Sequence, residues 1–162
     1  MYQPLENPLS PSTFRIALAT LGLRYEQVAD DLEIGIKTIE SWTKKSFPNQ
    51  RARDYIQAWL TRVDEDITDL VNEAVAAIED GQEYVVLETA WSGAGLKKLE
   101  PRFHDYPATV HIAMIGRVFA ELIARGVPTR VEYKERQNIG TRQEEPELHF
   151  IPAHDPATPQ DQ

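Results

Sequence analysis

The densest set of chemically capable side chains lies between residues 36 and 53. Lys37, Lys44, Lys45, Arg51 and Arg53 stand there against the single acid Glu40, a local balance of +4 in a chain whose net charge is −9. Ammonium and guanidinium groups grouped in this way suit phosphate oxygens, and fields are screened beyond ~8–10 Å at cellular salt, so a local patch acts on its own sign. The opposite composition follows: Asp64, Glu65, Asp66, Asp69, Glu73, Glu79, Asp80 and Glu83 come without a Lys or Arg between Val63 and Leu96. That tract reads first as the solvated face of an amphipathic helix. It also fits a face that repels nucleic acid and so guides it elsewhere, or an acidic surface that mimics DNA. No metal-binding loop of the D-x-D-x-D-G kind occurs in it.

Covalent and acid–base chemistry find little here. The histidines His104, His111, His149 and His154 are scattered, and none has a nucleophile or metal ligand at motif spacing. His111, within an apolar run, reads as a satisfied core or interface histidine. There is no cysteine, and no G-x-G-x-x-G, P-loop or H-E-x-x-H motif. The expectation is a protein that is not an enzyme and holds no cofactor or metal. The amino-terminal residues lack the basic start and apolar run of a secretory signal, and no stretch approaches ~18 apolar residues. These features predict a cytoplasmic location without a membrane partner.

The elements that must position the basic residues follow from periodicity. Ser10 and Pro11 form a helix start, Phe14, Ala17, Leu18 and Leu21 repeat at helical spacing, and Gly22 ends the helix. A second helix fits Tyr25–Leu32 and a third Ile36–Lys45, ahead of the Phe47-Pro48 break. Ile56, Leu60, Val63, Ile67, Leu70 and Ala74 then make a heptad-like seam with no Gly or Pro from Asn49 to Asp80. That seam predicts one helix of about 30 residues, or two with a break at Asp64-Glu65-Asp66. Glu83–Trp91 reads as a strand, Ser92 to Gly95 as a turn, Ala108–Arg125 as a largely buried helix and Thr129–Tyr133 as a second strand. The expected fold is mostly α with a small α+β carboxy-terminal unit. Its organisation would be residues 1–62 as a helical head, 63–81 as an acidic connecting helix, 82–135 as an α+β dimerisation unit and 136–162 as a disordered tail.

Within the head, Val28, Ala29, Leu32, Ile34, Ile39 and Trp42 supply the apolar positions of two short helices that cross steeply, with small Ala29 at the crossing. With Ile39 and Trp42 inward, Lys37, Thr38, Glu40, Ser41 and Lys44 turn to solvent on the third helix. The segment Tyr25–Lys44, YEQVADDLEIGIKTIESWTK, resembles the helix-turn-helix of Xre/Cro-type repressors of phage and bacteria, in which the second motif helix enters the major groove. More loosely, the two-part layout resembles small phage autorepressors, including anti-CRISPR-associated regulators. The resemblance covers about a quarter of the chain, with two departures. Glu33 stands where Gly is usual, with Gly35 two residues later, which points to a shifted or less regular turn. Arg24 replaces the usual Ser or Thr cap.

The resemblance implies a dimeric repressor that occludes a pseudo-palindromic operator in double-stranded DNA, and it implies site residues. Gly35, Ile36, Lys37, Thr38, Glu40 and Ser41 fall at or near base-reading positions. Lys37 would donate to guanine, Glu40 accept from a cytosine amino group, and Ser41 contact either. Lys44, Lys45, Arg51 and Arg53 fit phosphate contacts, joined by Tyr25 and Gln27 at the start of the preceding helix. Lys44 and Lys45 also fit a plain solvated helix end that offsets the helix dipole. Two other readings remain open: a protein-interaction module, antitoxin-like or adaptor, with the head as scaffold, and the acidic DNA mimic.

Overall fold

The computed structural model describes residues 9–135, so the expectations for 136–162, His149 and His154 fall outside the described residues. Ser10 caps α1 (Pro11–Leu21) by accepting from the Thr13 N–H at 3.2 Å, which satisfies one of the donors a helix start leaves free. Gly22 ends α1 in the left-handed region at φ 68°. A Cβ at Gly22 would sit inside contact distance of the Thr109 carbonyl oxygen and the Ala113 Cβ. Glycine is therefore needed twice, for its backbone angle and for the close approach. Next come α2 (Tyr25–Leu32) and α3 (Ile36–Trp42). Phe14 and Trp42 meet edge to face at 6.0 Å and, with Val28, Leu32 and Ile39, close the core of the helical head.

The helix α4 (Gln50–Glu79) runs unbroken for 30 residues, capped by the Asn49 side chain on the Ala52 N–H at 2.9 Å. Asp64-Glu65-Asp66 does not interrupt it. Ala52, Ile56, Val63, Val71 and Ala74 are its buried positions. Val71 thus joins the face expected from the seam, because a helix of 3.6 residues per turn drifts about 20° per heptad from a strict 3.5 repeat. The same helix packs on α1, on β1 (Val85–Thr89) and on α6 (Ala108–Ala124).

The remaining chain forms a β-α-β unit. After β1 come a single helical turn, α5 (Gly93–Leu96), capped by Ser92, and a 3₁₀ turn at Pro101–Phe103. Then α6 leads to β2 (Thr129–Tyr133), which pairs parallel with β1, Leu87 opposite Val131. A parallel pair needs such a long crossover, and α6 supplies it. The fold is mostly α with a small α+β unit at its carboxy-terminal side. The expected turn at Ser92 to Gly95 is instead this helical turn, since the Ser92 hydroxyl takes the Gly95 N–H at 3.0 Å.

The two halves are fastened by charged and aromatic groups. Arg62 of α4 lies over the rings of Tyr106 at 4.4 Å and Trp59 at 5.3 Å. Its guanidinium donates to Asp105 at 2.9 and 2.6 Å and to the Arg102 carbonyl at 2.8 Å. That pairing holds the Asp105 carboxyl below the ordinary range. Tyr106 donates to Asp66, and burial together with that carboxylate pushes its phenol pKa up. Arg102 reaches Glu73 at 3.1 Å. Part of the acidic tract is therefore engaged with the carboxy-terminal unit and is not merely a solvated face.

His111 is fully buried, with Nδ1 2.9 Å from the Thr89 hydroxyl and Nε2 without a partner among the described residues. It lies in the core, as its apolar surroundings suggest, but only one of its ring nitrogens is satisfied among the described residues. Burial lowers its pKa from 6.5 to about 4, so the folded chain resists a proton that the unfolded chain accepts. Above pH 6.5 this group has no effect; stability falls as the pH drops from 6.5 toward 4 and the loss levels off below. Urea unfolding should show about 2 kcal/mol less stability at pH 5 than at pH 7 from this group. His111→Gln should abolish most of that difference, and an equal loss in the variant would reject the assignment.

Candidate nucleic-acid interface

The surface that gathers the basic residues is made by α3, the turn after it and the start of α4. Gly35 precedes α3 in extended backbone, and a Cβ there would meet open space. Ile36, at the start of the helix, is 38% exposed. Lys37, Thr38 and Glu40 are exposed on the same helix, while Ile39 and Trp42 point into the core. The inward and outward positions thus match the solvent face expected from the sequence.

Ser41 differs from its neighbours. Its hydroxyl is half-buried and bonded to the Ser46 hydroxyl at 2.7 Å. Its carbonyl collects the N–H groups of Lys44, Lys45 and Ser46 at 3.2, 2.9 and 3.0 Å. This wrap ends the regular helix at Trp42, short of the expected Lys45, and it sets Lys44 and Lys45 outward on a turn, exposed. Ser41 is a shaping residue first, and its hydroxyl can reach a base only by leaving Ser46.

Arg51 is exposed in the first turn of α4. Arg53 is half-buried, donates to Gln50 at 2.7 Å and keeps a buried Nε without a partner among the described residues. At the start of α2, Tyr25 packs against the core and Gln27 donates to Asp31 at 2.8 Å. Asp31 also accepts from the Tyr55 hydroxyl of α4 at 2.6 Å, and burial and then this bond raise the Tyr55 pKa. Gln27 therefore belongs to a network that ties α2 to α4. Arg24, read from the sequence only as a weak cap, makes no cap bond and is exposed at the head of α2. A basic residue just before a helix of this motif was the signal that could have placed it with the others.

Ion pairing differs between this surface and most of the rest, Lys97 and Lys98 aside. Among the described residues every ion pair involves a cation from Arg62 onward: Arg62, Arg102, Arg117, Arg125, Arg130 or Lys134. Arg15, Arg24, Lys37, Lys44, Lys45, Arg51 and Arg53 belong to none of them. The head keeps its positive charge available. In addition, no cluster of His, Asp or Glu able to hold a metal occurs among the described residues, and no described helix is long and apolar enough to cross a membrane.

The turn between α2 and α3 is neither shifted nor irregular. Glu33 itself adopts the left-handed conformation, φ 56° and ψ 45°, and its N–H and that of Ile34 close the end of α2 on Asp30 and Ala29. Gly35 takes φ −72° and supplies no special angle. The turn geometry is thus kept with a residue that strains it by about 1 kcal/mol. No protein-family model, curated protein or solved structure matches this chain. Glu33→Gly should relieve this strain and stabilise the chain by up to about 0.5 kcal/mol in urea unfolding, net of the extra chain entropy of glycine, whereas Glu33→Ala should give no such gain. Destabilisation by glycine would show that the Glu33 side chain holds the turn.

Proposed function

We propose that this chain is a sequence-specific DNA-binding regulator, a dimeric repressor of phage or prophage type that occludes a pseudo-palindromic operator. The observation that carries the reading is the conjunction at α3: a short helix with a solvent-facing row of base-competent side chains, flanked on both sides by cations that pair with no carboxylate among the described residues. Lys37, Thr38 and Glu40 offer a donor, a mixed group and an acceptor to base edges in the major groove. Ser41 joins them once its bond to Ser46 opens, and Gly35 and Ile36 form the low-profile start of the helix that lets it lie close to the bases. Lys44, Lys45, Arg51 and Arg53 supply phosphate contacts that fix register without reading sequence. Arg24 is added to that group, next to Tyr25.

The other two readings have less support from side-chain placement. Asp66 and Glu73, which a DNA mimic would present outward, engage Tyr106 and Arg102 of the same chain. A scaffold used only to bind a protein would have no need for the uncompensated cations of the head.

Selection from a random duplex library at about 150 mM salt tests the reading directly. The expected product is an inverted repeat with half-sites about 10 base pairs apart; no enrichment would reject it. With five phosphate cations per protomer, the binding constant of the dimer should fall about 10⁵-fold from ~50 to ~200 mM salt. Lys44→Ala should weaken all duplexes alike. Lys37→Ala should relax preference at one base pair by about 1–3 kcal/mol, and an identical uniform loss in both variants would contradict the division of roles.

A further inference from the structure

We propose that two copies of this chain associate through the outer edge of β2, antiparallel about Val131, with the adjoining flanks of α6 packed beneath the joined sheet. The inference rests on the proposed function only for the expectation of a second copy; the surface itself is argued from the fold.

The β-α-β unit is left unfinished on one side. Among the described residues the sheet holds β1 and β2, a number that is marginal without further cover. On β1 the helix-facing residues Leu87 and Thr89 are 5% and 2% exposed, whereas their register partners Val131 and Tyr133 are 42% and 40% exposed. Helix α6 reaches both strands but covers β2 less completely than β1. What lies alongside is apolar: Ile112, Phe119 and Ile123 of α6, 37% to 43% exposed. Helical spacing puts these three on one stripe, on the opposite flank from Arg117, which faces Asp64 of α4 at 3.9 Å. Since α4 packs on β1, the stripe falls on the β2 side. With Gly116 it carries no charge, so it is a place where two acidic molecules can meet without adding repulsion.

The backbone fixes how a second strand would pair. Val85 donates its N–H to the Pro128 carbonyl at 2.8 Å, so Pro128 addresses β1. Alternation along a strand then turns the N–H and C=O groups of Thr129, Val131 and Tyr133 to the free edge. An antiparallel partner centred on Val131 would bond Val131 to its own copy and Thr129 to Tyr133 of the other, about six hydrogen bonds in all. The same register sets Arg130 directly opposite Glu132 of the other copy, in the closer, non-hydrogen-bonded kind of pair where opposite charges stabilise. In one chain these two residues are already paired on the outer face at 2.7 Å. The edge is thus complementary to itself in hydrogen bonds, apolar surface and charge, as a two-fold contact must be.

The chain has no cysteine, so one introduced thiol reports cleanly. Val131→Cys should give a disulfide-linked dimer on mild oxidation, while Ile16→Cys, on an exposed part of α1, should not. Light scattering of the unmodified chain should return twice the 18.4 kDa of one copy. Arg130→Glu should weaken the dimer at least ~10-fold by facing two acids, and Arg130→Glu/Glu132→Arg should restore it. A monomer, equal linking at both cysteines, or a dimer indifferent to Arg130→Glu would overturn the proposal and assign the edge to another polypeptide segment. An intact β2 dimer that selects no duplex would instead count against the DNA-binding reading alone.

Discussion

The apolar seam of α4 is the constraint on which the other elements lean. Ile56 and Val63 are each 1% exposed, and Val71 and Ala74 continue the same buried side further along. Helix α1 packs on one stretch of this helix and α6 and β1 on another, so the buried residues of the head and of the carboxy-terminal unit form one continuous cluster. Arg62 fastens the middle of the seam. Its stacked guanidinium lets a charged residue sit where the two halves join, because three hydrogen bonds to Asp105 and the Arg102 carbonyl hold it there. Removing the second half would leave the far end of α4 with its apolar side in water.

Charge is partitioned along the same axis. Beyond Val63 the acids outnumber the bases, and most of the cations present there are matched locally, to Asp64, Glu73, Glu121 and others. In the head, carboxylates such as Asp31 and Asp54 are occupied instead by neutral donors, Gln27, Tyr55 and Gln50. The cations nearby are consequently left to solvent. A net charge of −9 therefore coexists with a locally positive face, and on the proposed reading the acidic remainder would limit the orientations from which a polyanion can approach it.

Much of the fold was legible because its signals are local. The cap at Ser10, the limits of α2, the start of α6 and both limits of β2 follow from capping residues, helical spacing and β-branched runs. The exposed face of α3 was legible for the same reason: once Ile39 and Trp42 are inward, the outward residues are fixed by geometry. What escaped depends on distant partners. The bonds from Asp66 and Glu73 to Tyr106 and Arg102 span roughly 30 to 40 positions, and no local pattern announces them. The Ser41–Ser46 bond, which shortens α3 and aims Lys44 and Lys45, lies in a stretch where helix propensity alone would continue the helix. Glu33 escaped too, since a non-glycine residue in the left-handed region is a local cost accepted for the tertiary fit.

Gly22 gives the molecule a mechanical character. Because α1 ends with its backbone against Thr109 and Ala113 of α6, no flexible tether separates the head from the unit that carries β2. On the proposed reading the two heads of a dimer would behave as the jaws of a fixed caliper. One inserted base pair between half-sites turns the second site by about a tenth of a helical turn. A caliper of this kind has little freedom to follow it, so the length of the spacer would be read as strictly as the letters in the half-sites.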